Sequence, residues 1–328
     1  MVDLKTGLAQ FNIYTGILLM IIGIFGNISN MVVFCKTNLH HPTTYILFCT
    51  SCASLSYLSI GLFTRVITTG FLIDWTTMNM GWCRARLYFA HVIVLISVCF
   101  TCYASINQFF STSQKEKLRR LSNLTRARCV TFLIVVTCFL HHLPLTILAQ
   151  QIPNGTGGVV CNPVINPYLR GYISYFIVPF VLSLIPVTFL IIVGALTYRN
   201  VSMLQGVNSR QRTQRHLVSM ILLQTVSITI GSLPYGLQSF YSAITTYVVK
   251  DSNRKAVEDA IFQIVNTTYY IPHAFSFFIY LISSATFRDQ VKTILHLHPK
   301  ENRVAPFLPT GTGLRDIHTK KEHMHTLT

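Results

Sequence analysis

The chain has 328 residues and a mass of 37.1 kDa; 51% of the residues are hydrophobic, only 11% are charged, and the mean hydropathy is +0.48. A soluble domain carries about 25% charged residues, and a water-soluble globule of this size cannot hide so much apolar side chain, so a soluble enzyme is disfavoured; Gly (17) and Pro (12) without period exclude collagen-like and disordered chains. The net charge of +16 would suggest nucleic acid in a soluble protein, but its placement along this chain points elsewhere.

A helix needs about 20 apolar residues to cross a bilayer. Seven stretches reach that length: Phe11–Cys35, Thr44–Thr69, Gly81–Phe110, Arg128–Ala149, Gly171–Tyr198, His216–Ala243 and Ala260–Ser284. None alternates in hydropathy with period two, so of the two architectures that satisfy their backbone in lipid, helices are expected rather than a barrel. The first run follows about ten residues and is too long for the core of a cleavable signal, so it reads as a signal anchor. The expected organisation is a short outer amino terminus (1–10), a seven-helix domain (11–285), an amphipathic surface helix (286–298) and a polar cytoplasmic tail (299–328). The expected fold class is therefore an all-α membrane protein.

Orientation follows from Lys and Arg outside the spans. The connectors after the first, third and fifth runs, with the tail and Arg128 at the edge of the fourth run, hold eighteen; the amino terminus and the other connectors hold five. The amino terminus is then extracellular and the tail cytoplasmic, in a multi-pass plasma-membrane protein. The positive charge serves this bias and attraction to anionic membrane lipid, and no nucleic-acid partner is expected.

Of nine cysteines, Cys83 and Cys161 alone fall on the oxidising side, one at the outer end of the third run and one in the long second outer loop. A disulfide is the natural reading, and two free thiols the alternative. Asn154-Gly155-Thr156 lies on the same loop and is the one glycosylation sequon well placed outside.

Local motifs sharpen the picture. Gly26-Asn27 sits midway along the first run, and His41-Pro42-Thr43-Thr44 opens the second. Trp82-Cys83 starts the third, with Ser97 fourteen residues on; Pro186 lies in the fifth and Leu233-Pro234-Tyr235 in the sixth. Tyr280, six residues and then Phe287 close the seventh and open a short amphipathic segment, roughly Thr286–Leu297, in which Phe287, Val291, Ile294 and Leu295 share a face. Together they resemble a divergent branch of the rhodopsin-like G-protein-coupled receptors over about Phe11–Leu297. The resemblance implies an extracellular ligand, a heterotrimeric G protein as cytosolic partner, and movement of the fifth and sixth helices about Pro186 and Pro234.

The departures from that family are specific. Its second-helix acid aligns with Ser54, its acid-arginine-tyrosine triplet with Asn107-Gln108-Phe109, and its sixth-helix tryptophan with Ser232. Its Asn-Pro-x-x-Tyr motif aligns with Ser276 to Tyr280 and keeps only the tyrosine. Gln214 stands where an acidic lock partner often sits opposite Gln108, so two glutamines replace an ion pair with neutral hydrogen bonds of roughly 1 kcal/mol each.

No carboxylate lies in the core of any apolar run, although coupled transporters usually need one on their path. The aspartate that pairs with amine ligands aligns with Ala90, and the retinal-binding lysine with Tyr270, so amines and retinal are disfavoured. The outer half holds Arg65, Arg86, His91, His142, Tyr235, Phe262, Asn266, Tyr269 and Tyr270. Phe262, Asn266, Tyr269 and Tyr270 follow a helical face. Taken singly, such residues read as snorkelling cations and an interfacial aromatic belt. As a group they read as a cationic-aromatic pocket for a peptide or a polar or anionic small molecule. Asn27, Ser54, Ser97, His273 and Ser276 are expected to meet mid-membrane as a hydrogen-bonded cluster without the charge to retain sodium, and His273 as a core histidine rather than a metal ligand. No hydrolase or metalloprotease motif is present, so neither enzyme activity nor a cofactor is expected. The alternative function is a heptahelical protein that does not signal, a decoy or trafficking scaffold.

Overall fold

The computed structural model describes residues 2–37, 39–148, 150–153, 159–162, 168, 171–203 and 209–295. In chain order the helices are α1 (Val2–Thr37), α2 (Pro42–Gly70), α3 (Met80–Thr112), α4 (Leu124–Leu148), α5 (Tyr172–Ser202) and α6 (Ser209–Ile244). Then follow α7 (Ser252–Thr268), α8 (Ile271–Ala274), α9 (Ser276–Ser283) and α10 (Ala285–Ile294). Each of the first six contains a segment long and apolar enough to cross a membrane. The bundle buries polar as well as apolar side chains between its helices and turns large apolar ones outward. Ile21, Phe132, Ile192 and Ile230 are all more than 60% exposed, while Asn27, Ser97 and Gln108 are fully buried. Water would penalise that arrangement, and hydrocarbon accepts it because the outer surface needs no polar partner.

Side-chain caps set several boundaries. Asn79 accepts from the Trp82 amide to start α3, Asp251 from Arg254 to start α7, and Ser284 from Phe287 to start α10; each satisfies one of the four amides that a helix start leaves unpaired. Pro42 occupies the first position of α2, where its missing N–H costs nothing. α3 runs through the middle, packed against α2, α4, α5 and α6. One apolar core gathers around Leu58, Leu62, Val92 and Tyr269, and a second around Phe34, Ile46, Tyr280 and Phe287.

Three elements differ from the sequence reading. The amino-terminal ten residues are not a separate segment: α1 starts at Val2, as Leu, Lys, Ala and Gln extend the helix despite Gly7. The second outer connector is not wholly irregular. β1 (Gln150–Pro153) pairs antiparallel with β2 (Val159–Asn162), Gln151 opposite Cys161. The expected Ala260–Ser284 helix begins earlier, at Ser252, and is broken into α7, α8 and α9. Pro272 removes a backbone donor and its ring opposes the carbonyl four residues back, which accounts for the first break.

Gly231 on α6 faces that break. A Cβ there would lie 2.8 Å from the Pro272 ring and 3.0 Å from the Thr268 carbonyl oxygen, neither of which can swing away. Gly231→Ala is therefore expected to destabilise by about 1–3 kcal/mol, read as a lower thermal midpoint of the purified protein. An unchanged midpoint would show that α6 and α8 slide apart freely.

Candidate ligand-binding and transmission sites

The half of the bundle next to the β1–β2 hairpin, the one expected to face outward, holds two side-chain groups. The first is aromatic and lies where α2, α6 and α7 meet. Tyr57 stacks on Tyr270 at 4.8 Å and meets Tyr269 edge-on at 6.4 Å. Tyr235 lies 4.9 Å from Tyr269 and 6.1 Å from Phe262. Tyr269 and Tyr270 are buried, and the Tyr269 hydroxyl donates to the Leu182 carbonyl at 3.3 Å. Tyr235 and Phe262 line a cavity of about 470 Å³ with Ser174, Tyr175, Ser239 and Ser242. That volume lies within the range of small-molecule pockets.

The second group lies between α3 and α4. The rings of His91 and His142 stack at 6.3 Å, and His142 Nδ1 lies 3.3 Å from His141 Nδ1 and 3.1 Å from the Cys138 carbonyl. His142 is fully buried and its Nε2 has no hydrogen-bond partner among the described residues. Among the described residues no ring contact or hydrogen bond joins the two groups. Arg65 turns towards α1 and α7: Nη2 donates to the Gln263 carbonyl at 3.0 Å, with Asn12 Oδ1 at 3.5 Å. Asn266 is half-buried on α7 and makes no hydrogen bond that ties it to either group.

Of the nine residues expected from sequence, then, only Tyr235 and Phe262 line the outer cavity. Sequence reading missed Ser174, Tyr175, Ser239 and Ser242. A signal existed for the last two, since Tyr235, Ser239 and Ser242 keep helical spacing on α6. Nothing in the sequence pairs Tyr175 with α6; the fold brings its hydroxyl to donate to the Ala243 carbonyl at 2.9 Å.

The outer ends of α6 and α7 are clasped by charge. Glu258 accepts from Lys250 at 2.5 Å, Arg254 at 2.9 Å and the Tyr241 hydroxyl at 2.9 Å. Lys250 above all, then Arg254 and Tyr241, holds the Glu258 carboxyl down to about 2 from an ordinary value near 4.5. Because the folded value is depressed, this contribution to stability is full above about pH 4.5 and is lost as pH falls towards 2. The thermal midpoints of wild type and Glu258→Gln are expected to be separated at pH 6 and to converge on acidification. A constant separation down to pH 2.5 would show that the clasp acts by packing rather than charge.

Midway down the bundle, the five residues expected to meet do so. Ser54 Oγ, Ser97 Oγ and His273 Nδ1 form a triangle with all sides 3.2 Å. Asn27 Nδ2 donates to the His273 carbonyl at 2.9 Å, and the Ser276 hydroxyl to Asn27 Oδ1 at 3.3 Å. The adjoining cavity is about 10 Å³, room for one water. No carboxylate lines it, and among the described residues no group of three His, Cys, Asp or Glu is placed to hold a metal.

At the inner end of α3, Asn107 Nδ2 donates to Thr43 Oγ1 at 2.9 Å, and the Thr43 hydroxyl donates to Gln108 Oε1 at 3.0 Å. Asn107 and Gln108 are buried, and Phe109 is half-buried against Phe110. The side chain of Gln214 and all of Asn154 lie outside the described residues. Tyr280 is buried between Phe34 and Phe287, at 6.1 and 6.0 Å. Pro234 sits within an unbroken α6, and the Ser183 hydroxyl of α5 donates to the Ser232 carbonyl beside it at 2.7 Å. The Cys83–Cys161 disulfide ties the outer end of α3 to β2.

A family model described as 7 transmembrane receptor (rhodopsin family) matches residues 26–280. No curated protein matches the chain.

Proposed function

Because the chain belongs to the rhodopsin family of seven-transmembrane receptors, we propose that it binds a peptide or a polar or anionic small molecule from outside and signals through α5 and α6 to a cytosolic G protein. The broken α7–α9 segment would be the seventh crossing, with α1 starting outside and α10 lying on the inner membrane face. Tags at the two ends should then be reached from opposite sides of intact cells.

The observation that carries the ligand reading is the 470 Å³ outer cavity. Its wall presents the hydroxyl groups of Ser174, Tyr175, Tyr235, Ser239 and Ser242, and no acidic residue lines it. A cationic amine would find no counter-charge there, whereas hydroxyl groups suit amides and carboxylates. The Ser183–Ser232 hydrogen bond beside Pro234 couples α5 to α6 below the cavity. A ligand that favours one packing of these helices shifts the population between two states.

Guanine-nucleotide exchange on membranes, screened with a peptide and small-acid library, tests the reading. A ligand-dependent response lost in Tyr235→Ala and Ser239→Ala is expected, and silence with every G-protein class would overturn coupling. A second reading, binding without signalling, is favoured by the burial of Gln108 and its bond to Thr43. The two differ at one position. A neutral hydrogen bond is a weaker lock than an ion pair, so a signalling receptor should show basal exchange that the double change Gln108→Arg with Gln214→Glu lowers. A rise in basal exchange in that variant would refute the weak lock.

A further inference from the structure

The connector between α3 and α4 carries a charge pattern that the receptor reading does not use. Arg119-Arg120-Leu121-Ser122 places arginines at the second and third positions before a serine, and no other Ser or Thr in the chain has both. The local fold presents this run. One helical turn, Glu116–Arg119, ends at Arg120. The chain then turns: the Leu121 amide donates to the Leu118 carbonyl at 2.9 Å and the Ser122 amide to the Arg119 carbonyl at 3.2 Å. Arg119, Arg120 and Leu121 are exposed, and the side chains of the Arg120–Glu116 pair remain 77% and 64% exposed. Ser122 is half-buried, and its hydroxyl has no hydrogen-bond partner among the described residues. Hydroxyl groups at the same end of the bundle are engaged. Ser111 and Thr112 donate to the Gln108 carbonyl at 3.0 and 2.9 Å. Ser202, three residues after Arg199, donates back to the Arg199 carbonyl at 2.9 Å.

Protein kinases select among serines partly by the charge pattern around them. Opening this turn to an extended segment breaks surface hydrogen bonds that water replaces. The same place also receives a phosphate. At the start of α4, Asn123 Oδ1 accepts from the Arg126 amide at 2.8 Å, and the Arg126 guanidinium folds back over the turn to donate to the Arg120 carbonyl at 2.9 Å. A phosphate on the residue before that cap meets the positive end of a long helix and a cation already aimed at the turn.

We propose that Ser122 is a phosphorylation site for an arginine-directed serine/threonine kinase, and that Arg126 and the first turn of α4 hold the phosphate. The kinase transfers the γ-phosphoryl group of ATP. The bond from Ser122 Oγ to phosphorus forms, the bond from phosphorus to the β–γ bridging oxygen breaks, ADP leaves, and the hydroxyl proton passes to the catalytic aspartate of the kinase. The added charge, about −1.5 to −2, falls on a connector that holds Lys115, Lys117, Arg119, Arg120 and Arg126 against Glu116 alone. Access of a cytosolic kinase rests on the orientation proposed above; the charge pattern and the geometry of the site do not.

The test incubates the detergent-solubilised full chain with the catalytic domain of an arginine-directed kinase and Mg-ATP, and locates phosphate by peptide mass mapping. Phosphate at Ser122 is expected, and Ser122→Ala should remove that incorporation. Arg119→Ala and Arg120→Ala should each raise KM about tenfold with kcat kept, the loss of one charge-assisted contact. Arg126→Gln, on the other side of the serine, should leave KM unchanged. In the phosphorylated chain the phosphorus-31 shift should titrate below the ordinary second pKa of about 6, and in Arg126→Gln it should return towards that value. Thermal midpoints check that each variant is folded. No phosphate at Ser122 in wild type overturns the proposal. So does an equal rise in KM in Arg126→Gln, which would show general attraction to positive charge. A wild-type titration at about 6 would place the phosphate free in solvent and overturn its capture by α4. Detergent opens both faces to the kinase, so a wrong orientation leaves this result standing; tags at the two ends decide the orientation separately.

Discussion

Replacing Cys83 or Cys161 with Ser is expected to be the most damaging single change. The bridge closes a loop across a sequence separation of 78 residues. The chain-entropy model gives about 4.5 kcal/mol for a loop of that length at 25 °C. The loss has a local address as well. β2 hangs on α3 through this bond, and the hairpin reaches the bundle beside α3. Either variant should therefore show a lower thermal midpoint and weaker surface expression. Both should lose any ligand response, since the hairpin would no longer be held over the outer end of α3. The double variant should be no worse than either single one, because one bond is lost in all three. A wild-type midpoint in Cys83→Ser would refute a structural role for the bridge.

Phe287→Ala is expected to come next, at roughly 3–5 kcal/mol. Phe287 is 2% exposed on α10. Its ring meets Phe34 of α1 and Phe277 of α9 at 5.8 Å each, and Tyr280 at 6.0 Å. Truncation leaves a cavity where α1, α9 and α10 meet. Val291 and Ile294 would lose their anchor in the same cluster. The matching control is Leu295→Ala. Leu295 was read as sharing the apolar face, but it is 60% exposed because α10 ends at Ile294. In detergent that variant should keep the wild-type midpoint. If the two changes cost the same, α10 is held by its capping residue Ser284 rather than by its apolar face.

How much of this was legible beforehand depended on the range of the interaction. The six long spans follow from runs of apolar residues, because a backbone in hydrocarbon must bond to itself and a helix does so locally. The disulfide was legible because, of nine cysteines, only Cys83 at one end of the third run and Cys161 in the connector after the fourth fall on the same expected side. The mid-bundle cluster was legible because a buried hydroxyl or imidazole must find a polar partner, and Asn27, Ser54, Ser97, His273 and Ser276 were the candidates at that depth. The outer site was legible only in part. Sequence ranks Arg65, His91 and His142 as pocket residues by chemistry and depth. Yet Arg65 turns to Gln263, and His91 turns to His142 between α3 and α4.

Taken alone, the sequence determined the class of protein and the approximate position of the six long spans, since both depend on local composition meeting lipid or water. The tertiary structure decided which side chains share a space. The rotation of each helix about its axis is set by close packing with its neighbours, such as Gly231 against Pro272 and Tyr57 on Tyr270. The break at Pro272 finds its packing partner only because Gly231 of α6 stands opposite. Hydropathy carries little information about that rotation in spans that are apolar nearly all round, whereas facing is fixed by contacts far away in sequence.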